Sequence, residues 1–404
     1  MVFRSHFTLL ILSIAITIGN VSTSSLWNSN KNTFLNFTQL SGRYNFWTEE
    51  HTVTTDDGYI LTVFRMRSKD CFAFKKYPVL LIHGLFQSAD TWLDAGPDAG
   101  LAYLIANECY DLWVGNQRGN YYARKHVTLN PDRDPIFWKF SIDQMGIYDL
   151  PAMVDYILKN TKKDKLSYVG FSQAVGTCLI MCSERSGYCD KVNILIALAP
   201  SSRITNMKSV VLRTVFDKFN KLKDVLTSIG VYEVFALGEP VQALVSLLFK
   251  SDIFAWVTSS TGLGLFDSPN PGSIDSKTLQ QIATHTPSGT STHTLAQYGQ
   301  SLETDNFQKF DYGKKLNIET YGTDQAPIYN LSATTAPVVV LYGNNDHVDY
   351  IEDVLWMVKQ LPNVLEVREI ADPLWNHFDM VYSQNIKNLS FPIVSEYLLK
   401  YSTA

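Results

Sequence analysis

Ser172 stands in the run Tyr168-Val-Gly-Phe-Ser-Gln-Ala174, where a β-rich stretch feeds a Gly-x-Ser-x-small turn that opens into a helical pattern. A serine hydroxyl is a weak nucleophile until the chain exposes it on a sharp turn and a base takes its proton, and small neighbours suit a turn where strand and helix pass close together. Acyl transfer by such a serine also needs a group that orients the base and donors for the developing oxyanion. The run Val339-Val-Leu-Tyr-Gly-Asn-Asn-Asp346 puts a carboxylate just beyond a predicted strand, and Trp375-Asn-His377-Phe-Asp379 puts a histidine after the next one. The expected roles are therefore Ser172 as nucleophile, His377 as base and Asp346 as the acid that fixes the imidazole tautomer. Asp349, Asp379 and His347 are neighbouring rivals, and Asp346 is preferred because the end of a strand is the most rigid position. Oxyanion donors are expected from the amide after the nucleophile, Gln173, and from Leu85 in the loop His83-Gly-Leu-Phe-Gln87, where Gly84 permits a tight turn and Gln87 is placed to brace it.

These residues need a frame. Residues 50–66 alternate apolar and polar around Asp56-Asp57-Gly58 and read as an antiparallel hairpin. After it, short β-rich runs at 78–83, 111–114, 166–169, 192–199, 337–342 and 364–370 alternate with helical stretches, a rhythm that predicts a mostly parallel sheet with helices on both faces. The rhythm breaks across 201–335, where amphipathic and apolar stretches such as 231–256 carry no strand alternation. The expected organisation is a core formed by residues 25–200 and 336–404, interrupted by a mainly helical cap or lid at 201–335.

The 404 residues suit one large α/β domain with an insertion, or two domains. With 46% hydrophobic and 18% charged residues the chain is not disordered, and a net charge of −5 without a polybasic block argues against a nucleic-acid partner. Residues 1–24 read as a signal peptide: Arg4, an apolar run from Phe7 to Ile18 too short to span a bilayer, then small residues. No second spanning stretch follows, so the mature chain is expected to lack a transmembrane segment and to be secreted, with the lysosomal lumen as the alternative destination. In that compartment the sequons at Asn36, Asn330 and Asn388 become candidate glycosylation sites that must lie at the surface. The five cysteines allow at most two bridges, with Cys71–Cys109 and Cys182–Cys189 among the open pairings. No Cys or His pairs have ligand spacing, so no metal is expected.

Four further motifs sharpen the picture: Glu50-His-Thr-Val-Thr-Thr-Asp-Asp-Gly-Tyr-Ile-Leu61, Leu81-Ile-His-Gly-Leu85, Trp113-Val-Gly-Asn-Gln-Arg-Gly-Asn120 and Asp143-Gln-Met-Gly-Ile-Tyr-Asp-Leu-Pro151. With them the chain resembles the acid lipase family, which groups gastric and lysosomal acid lipases with many insect relatives, and the wording of residues 116–124 is most similar to the insect branch. The resemblance covers about residues 49–399. It implies an α/β-hydrolase fold with a helical cap, hydrolysis of lipid carboxylic esters at an emulsion or membrane interface, no cofactor, a triad of Ser172, Asp346 and His377, and oxyanion donors at Leu85 and Gln173. The chain departs from the family pattern at Phe171 and Ala174, where His and Gly are usual, at Asn45-Phe-Trp47, and in lacking the cap cysteines that form a disulfide in mammalian members.

The expected function is thus a secreted serine lipase acting on neutral lipid esters, acylglycerols first. The alternatives are an inactive lipase-like lipid-binding protein and an esterase for sterol esters or short soluble esters.

Overall fold

A computed structural model describes residues 35–73, 77–235 and 264–402. The expected leader and most of 231–256 lie outside these residues.

The strands are β1 (Phe46–Thr54), β2 (Ile60–Ser68), β3 (Val79–Ile82), β4 (Leu112–Gly115), β5 (Leu166–Phe171), β6 (Val192–Leu198), β7 (Glu233–Val234), β8 (Thr290–Ser291), β9 (Val338–Tyr342) and β10 (Val364–Glu369). Eight of them form one sheet in the order β1-β2-β4-β3-β5-β6-β9-β10. The pairs β1–β2 and β2–β4 are antiparallel and all the others parallel, as the alternating rhythm predicts. The hairpin runs longer in both arms than its sequence pattern suggests, and Thr54 faces Ile60 across the turn at Asp56-Asp57-Gly58.

The central strands are continuous apolar runs because both faces of the sheet are covered. Successive side chains point to opposite faces. Leu80 and Ile82 of β3 enter one core with Trp113, Met153 and Leu179, while Val79 and Leu81 enter the other with Trp92, Tyr103 and Leu398. Burying each such aliphatic side chain contributes about 1.5–3 kcal/mol before chain entropy is counted. The helix Gln173–Glu184 follows β5 directly and buries ten of its twelve residues, Gln173 to Cys182.

Three of the motifs meet at one buried side chain. Arg118 is 1% exposed; its guanidinium donates to Asp57 Oδ2 at 2.6 Å and Oδ1 at 2.8 Å and to Asp149 Oδ1 at 2.8 Å, and lies 3.8 Å from the ring centre of Tyr59. The hairpin turn, the loop after β4 and the N-cap of the helix Leu150–Thr161 are therefore joined by charge-assisted bonds in a site where an unpaired guanidinium would be costly.

Both pairings left open among the cysteines form: Cys71–Cys109, with Cα atoms 5.4 Å apart, and Cys182–Cys189, with Cα atoms 4.8 Å apart; Cys178 is a buried free thiol. Between β6 and β9 the described chain is mainly helical, with helices Val210–Ser228, Ser276–His285, Thr292–Ser301 and Lys314–Tyr321. One feature there differs from expectation. Glu233–Val234 pairs with Thr290–Ser291 as a short antiparallel ladder, β7–β8, too brief to leave an alternating signature in the sequence. Helices Val210–Ser228 and Thr292–Ser301 approach closely at Gly299, where a methyl group would fall 2.2 Å from the Phe216 carbonyl oxygen. Among the described residues, no helix is long and apolar enough to cross a membrane.

Candidate active site

The site lies at the C-terminal ends of β3, β5 and β9. Ser172 occupies the turn between β5 and the helix Gln173–Glu184 with φ 54° and ψ −121°, a backbone region L-residues rarely adopt. The turn is held on both sides: the Ser172 N–H donates to the Leu198 carbonyl at 2.9 Å, and its own carbonyl accepts from Val175 at 3.0 Å and Ser201 at 3.2 Å. Close packing explains the small residues, since a methyl group on Gly170 would sit 2.7 Å from the Tyr168 ring. Ala174 is accommodated where glycine is usual: it is fully buried, and its carbonyl accepts the Tyr168 hydroxyl at 2.8 Å.

The loop after β9 delivers Asp346, and the loop after β10 delivers His377. His377 Nε2 lies 3.0 Å from Ser172 Oγ, and Nδ1 lies 2.9 Å from Asp346 Oδ2. Asp346 Oδ1 accepts the N–H groups of Val348 and Asp349, each at 2.8 Å, which fixes the carboxylate plane. All three side chains are buried. Burial alone would lower the His377 pKa, but Asp346, then Asp349 and Asp267, outweigh it and push it up to about 9. The Phe171 ring packs on the imidazole with centres 4.8 Å apart, so this departure from the family pattern supplies an apolar wall beside His377.

Two of the rivals, Asp379 and His347, make other contacts. Asp379 accepts from Ser273 Oγ at 2.6 Å, Asn270 Nδ2 at 2.8 Å and the Asn376 N–H at 3.0 Å, and so braces the loop that carries His377. The His347 carbonyl accepts the N–H groups of Lys208 and Ser209 at 2.8 Å, linking the Asp346 loop to the segment after β6. Asp349 lies beside Ser172 and His377 as well, with Oδ2 3.3 Å from Ser172 Oγ and 3.7 Å from His377 Nδ1.

Gln173 begins its helix, where backbone N–H groups are left without helical acceptors. Its side chain is locked between Gln117 Oε1, at 2.8 Å, and the Tyr298 hydroxyl, at 3.1 Å. On the opposite arm, His83 Nε2 accepts the Gln117 N–H at 3.2 Å, so Nδ1 carries the proton and donates it to the Gly84 carbonyl at 2.8 Å. Burial keeps this imidazole neutral, with its pKa lowered to about 4. A trans peptide sets C=O and N–H on opposite sides, so the His83 bond turns the Leu85 N–H away from His83. Gln87 braces the same loop, accepting the Gly84 N–H at 2.9 Å and donating to the Tyr382 hydroxyl at 2.9 Å.

Asp267 is absent from the sequence reading. Its Oδ1 accepts the His347 N–H at 2.8 Å and its Oδ2 the His377 N–H at 2.7 Å, so one carboxylate ties together the loops that carry Asp346 and His377. Nothing around it, in Phe266-Asp-Ser268, marks it in the sequence.

A mostly parallel eight-stranded sheet, a strained serine at a strand-to-helix turn, and an acid and a histidine on later strand-end loops define an α/β-hydrolase. Family models agree: residues 37–96 match the partial alpha/beta-hydrolase lipase region and residues 77–224 the alpha/beta hydrolase fold. The chain is 32% identical over 370 residues to Lipase 1 of Drosophila melanogaster, covering 90% of this chain and 80% of that one. It is 31% identical over 380 residues to human gastric triacylglycerol lipase, covering 90% and 91% respectively. A putative lipase from Sulfolobus solfataricus shares the fold, with a TM-score of 0.57 and 13% identity over 88% of this chain and 95% of that one. The chain belongs to the acid lipase family, and with it to the carboxylic ester hydrolases.

Proposed function

We propose that this protein is a secreted serine lipase that hydrolyses neutral lipid esters, acylglycerols foremost, through an acyl-enzyme. Ser172 Oγ attacks the ester carbonyl carbon while His377 Nε2 takes the hydroxyl proton. Asp346 holds Nδ1–H and stabilises the imidazolium that results. The N–H groups of Leu85 and Gln173 receive the oxyanion, the latter favoured by the positive end of its helix. Collapse expels the alcohol, which takes the proton from His377. Water then repeats the sequence on the acyl-serine and releases the fatty acid. The observation that carries this reading is the chain of short contacts from Asp346 through His377 to Ser172, 2.9 Å and 3.0 Å.

The core is assigned to residues 25–200 and 336–404 and the cap to 201–335, a division supported by the helices between β6 and β9. Leu222, Val225 and Ile229 recur along one side of the helix Val210–Ser228 and its end and are exposed, which suits a surface that meets lipid. Residues 1–24 are assigned as the signal peptide. Asn36, Asn330 and Asn388 are all exposed, as glycosylation of their sequons would require. The departures at Phe171 and Ala174 are what would favour the lipid-binding alternative, and both residues pack without displacing Ser172 or His377.

The test is fatty-acid release from emulsified long-chain triacylglycerol, beside a short soluble ester, for the native protein and Ser172→Ala. Release from the emulsion that disappears in the variant supports the assignment. Turnover of the short ester alone demotes it to a soluble-ester hydrolase, and silence on both substrates from folded protein overturns it in favour of lipid binding.

A further inference from the structure

The loop after β9 brings two carboxylates, not one, to the reacting residues. Asp349 is 2% exposed and shares a turn with Asp346, whose Oδ1 accepts its N–H at 2.8 Å. Its Oδ2 accepts the Ser172 hydroxyl at 3.3 Å and stands 3.7 Å from His377 Nδ1, while Oδ1 has no hydrogen-bond partner of standard geometry among the described residues. Ser172 Oγ has a single proton. If that proton points to Asp349, His377 Nε2 must be the donor to Oγ, which requires an imidazolium; if it points to His377, the imidazole is neutral and ready as a base.

We propose that Asp349 is a positioning residue of this site, a second carboxylate that competes with His377 for the Ser172 proton and holds His377 as the imidazolium, so that it sets the pH at which the base becomes available. This rests on the reading of His377 as the general base.

The surroundings favour that role. Asp346 and Asp267 also face the imidazole, and Asp353 adds negative charge beside Asp349, although Asp353 is itself paired with Arg203 Nε at 2.8 Å. The remaining groups against Asp349 are neutral: the Ser201 hydroxyl and the Tyr298 phenol. The Phe171 ring closes the other side of His377. Burial pushes the Asp349 carboxyl up to about 7; the His377 charge opposes that rise and Asp346 adds to it. The imidazolium is thus the partner that allows Asp349 to ionise, and the ionised Asp349 in turn retains the proton on His377.

Asn at 349 keeps the shape and removes the charge. The expected result for Asp349→Asn is a fall of the acid limb of the kcat/KM against pH profile by about one pH unit or more. At a pH one unit below the native limb, the variant then works at roughly fivefold the fraction of its own plateau that the native enzyme reaches. A purely structural role would lower the plateau and leave the limb in place, and an unmoved limb would overturn the proposal. The second readout needs no turnover: the His377 ring is titrated by NMR, without substrate, in the native protein and in Asp349→Asn, both of which keep the Ser172 hydroxyl. A titration displaced to lower pH in the variant supports the proposal even where no ester is hydrolysed, and coincident titrations overturn it whatever the substrate proves to be.

Discussion

Asp267 bonds to the backbone of His377, not to its ring: Oδ2 takes the His377 N–H at 2.7 Å while Oδ1 takes that of His347 at 2.8 Å. The carboxylate comes from the residue that follows the short helix Gly264–Phe266, and its two bonds fix the separation of the loops that carry Asp346 and His377. Burial, reinforced by the charge of Asp346, drives its pKa well above the ordinary carboxylate value, so the clamp is held against a desolvation cost. Asp267→Ala is expected to leave two buried N–H groups without acceptors, at about 1–3 kcal/mol each. Urea denaturation and kcat should both register it, with kcat falling tenfold or more by order of magnitude as His377 loses its position.

His83 acts on the opposite arm. Its neutral ring, held by the Gln117 N–H, orients the Gly84–Leu85 peptide through the Gly84 carbonyl. His83→Phe keeps the bulk and removes the ring's bonds to the Gly84 carbonyl, the Gln117 N–H and Asn120 Nδ2. The expected outcome is a loss of about 10- to 100-fold in kcat with KM little changed, on the scale of a misaimed oxyanion donor. Steady-state kinetics on a soluble ester decide it; a change confined to KM would mean that the loop serves binding instead.

Local pattern reveals what local chain physics imposes: the apolar runs of the parallel strands, the Asp56-Asp57-Gly58 turn, the Ser172 elbow, and the strand-end positions of Asp346 and His377. Residues whose role depends on distant partners leave no such trace. Asp267 and His377 are 110 positions apart, and Gln173 meets Tyr298 across 125. Asp349 differs again: its spacing from the strand end made it a rival to Asp346, and only the fold shows that it faces the Ser172 hydroxyl as well. The motif arginine, Arg118, was legible as part of a pattern, whereas its pairing with Asp57 and Asp149 needed the sheet to bring three segments together.

A buried pair joins the helix Ser276–His285 to the core. His285 Nδ1 lies 2.6 Å from Asp94 Oδ1, and Nε2 lies 3.0 Å from the Leu35 carbonyl. Burial alone would lower the His285 pKa, yet Asp90 and Asp94 push it up from 6.5 to about 10. A histidine whose folded value is raised contributes stability that is fully present below its unfolded value and is lost as pH rises toward the folded one. Burial raises Asp94 from 3.8 to about 6 against the pull of His285, so its part of the stability fades at lower pH, as pH rises through that range. Native stability is therefore expected to decline from about pH 6.5 to about pH 10, and His285→Ala to be less stable by about 3–5 kcal/mol at the acid end of that window, where Asp94 is left buried and unpaired. Urea denaturation of both proteins across the window checks this. His377 titrates in the same direction in both, but Asp94 loses the His285 charge that holds its pKa down, so the reference is Asp94→Asn/His285→Ala: a slope parallel to that of the native protein would show that the pair carries no such linkage.

The central claim is that Ser172 forms the covalent intermediate. The most direct measurement is intact-mass and peptide-level analysis after treatment with an alkyl phosphonate ester, which modifies an activated serine and stops there. The expected result is one phosphonyl group per chain on Ser172, loss of ester hydrolysis in proportion to labelling, and no labelling of Ser172→Ala. Labelling at another residue, or full hydrolysis from protein phosphonylated at Ser172, would contradict the account.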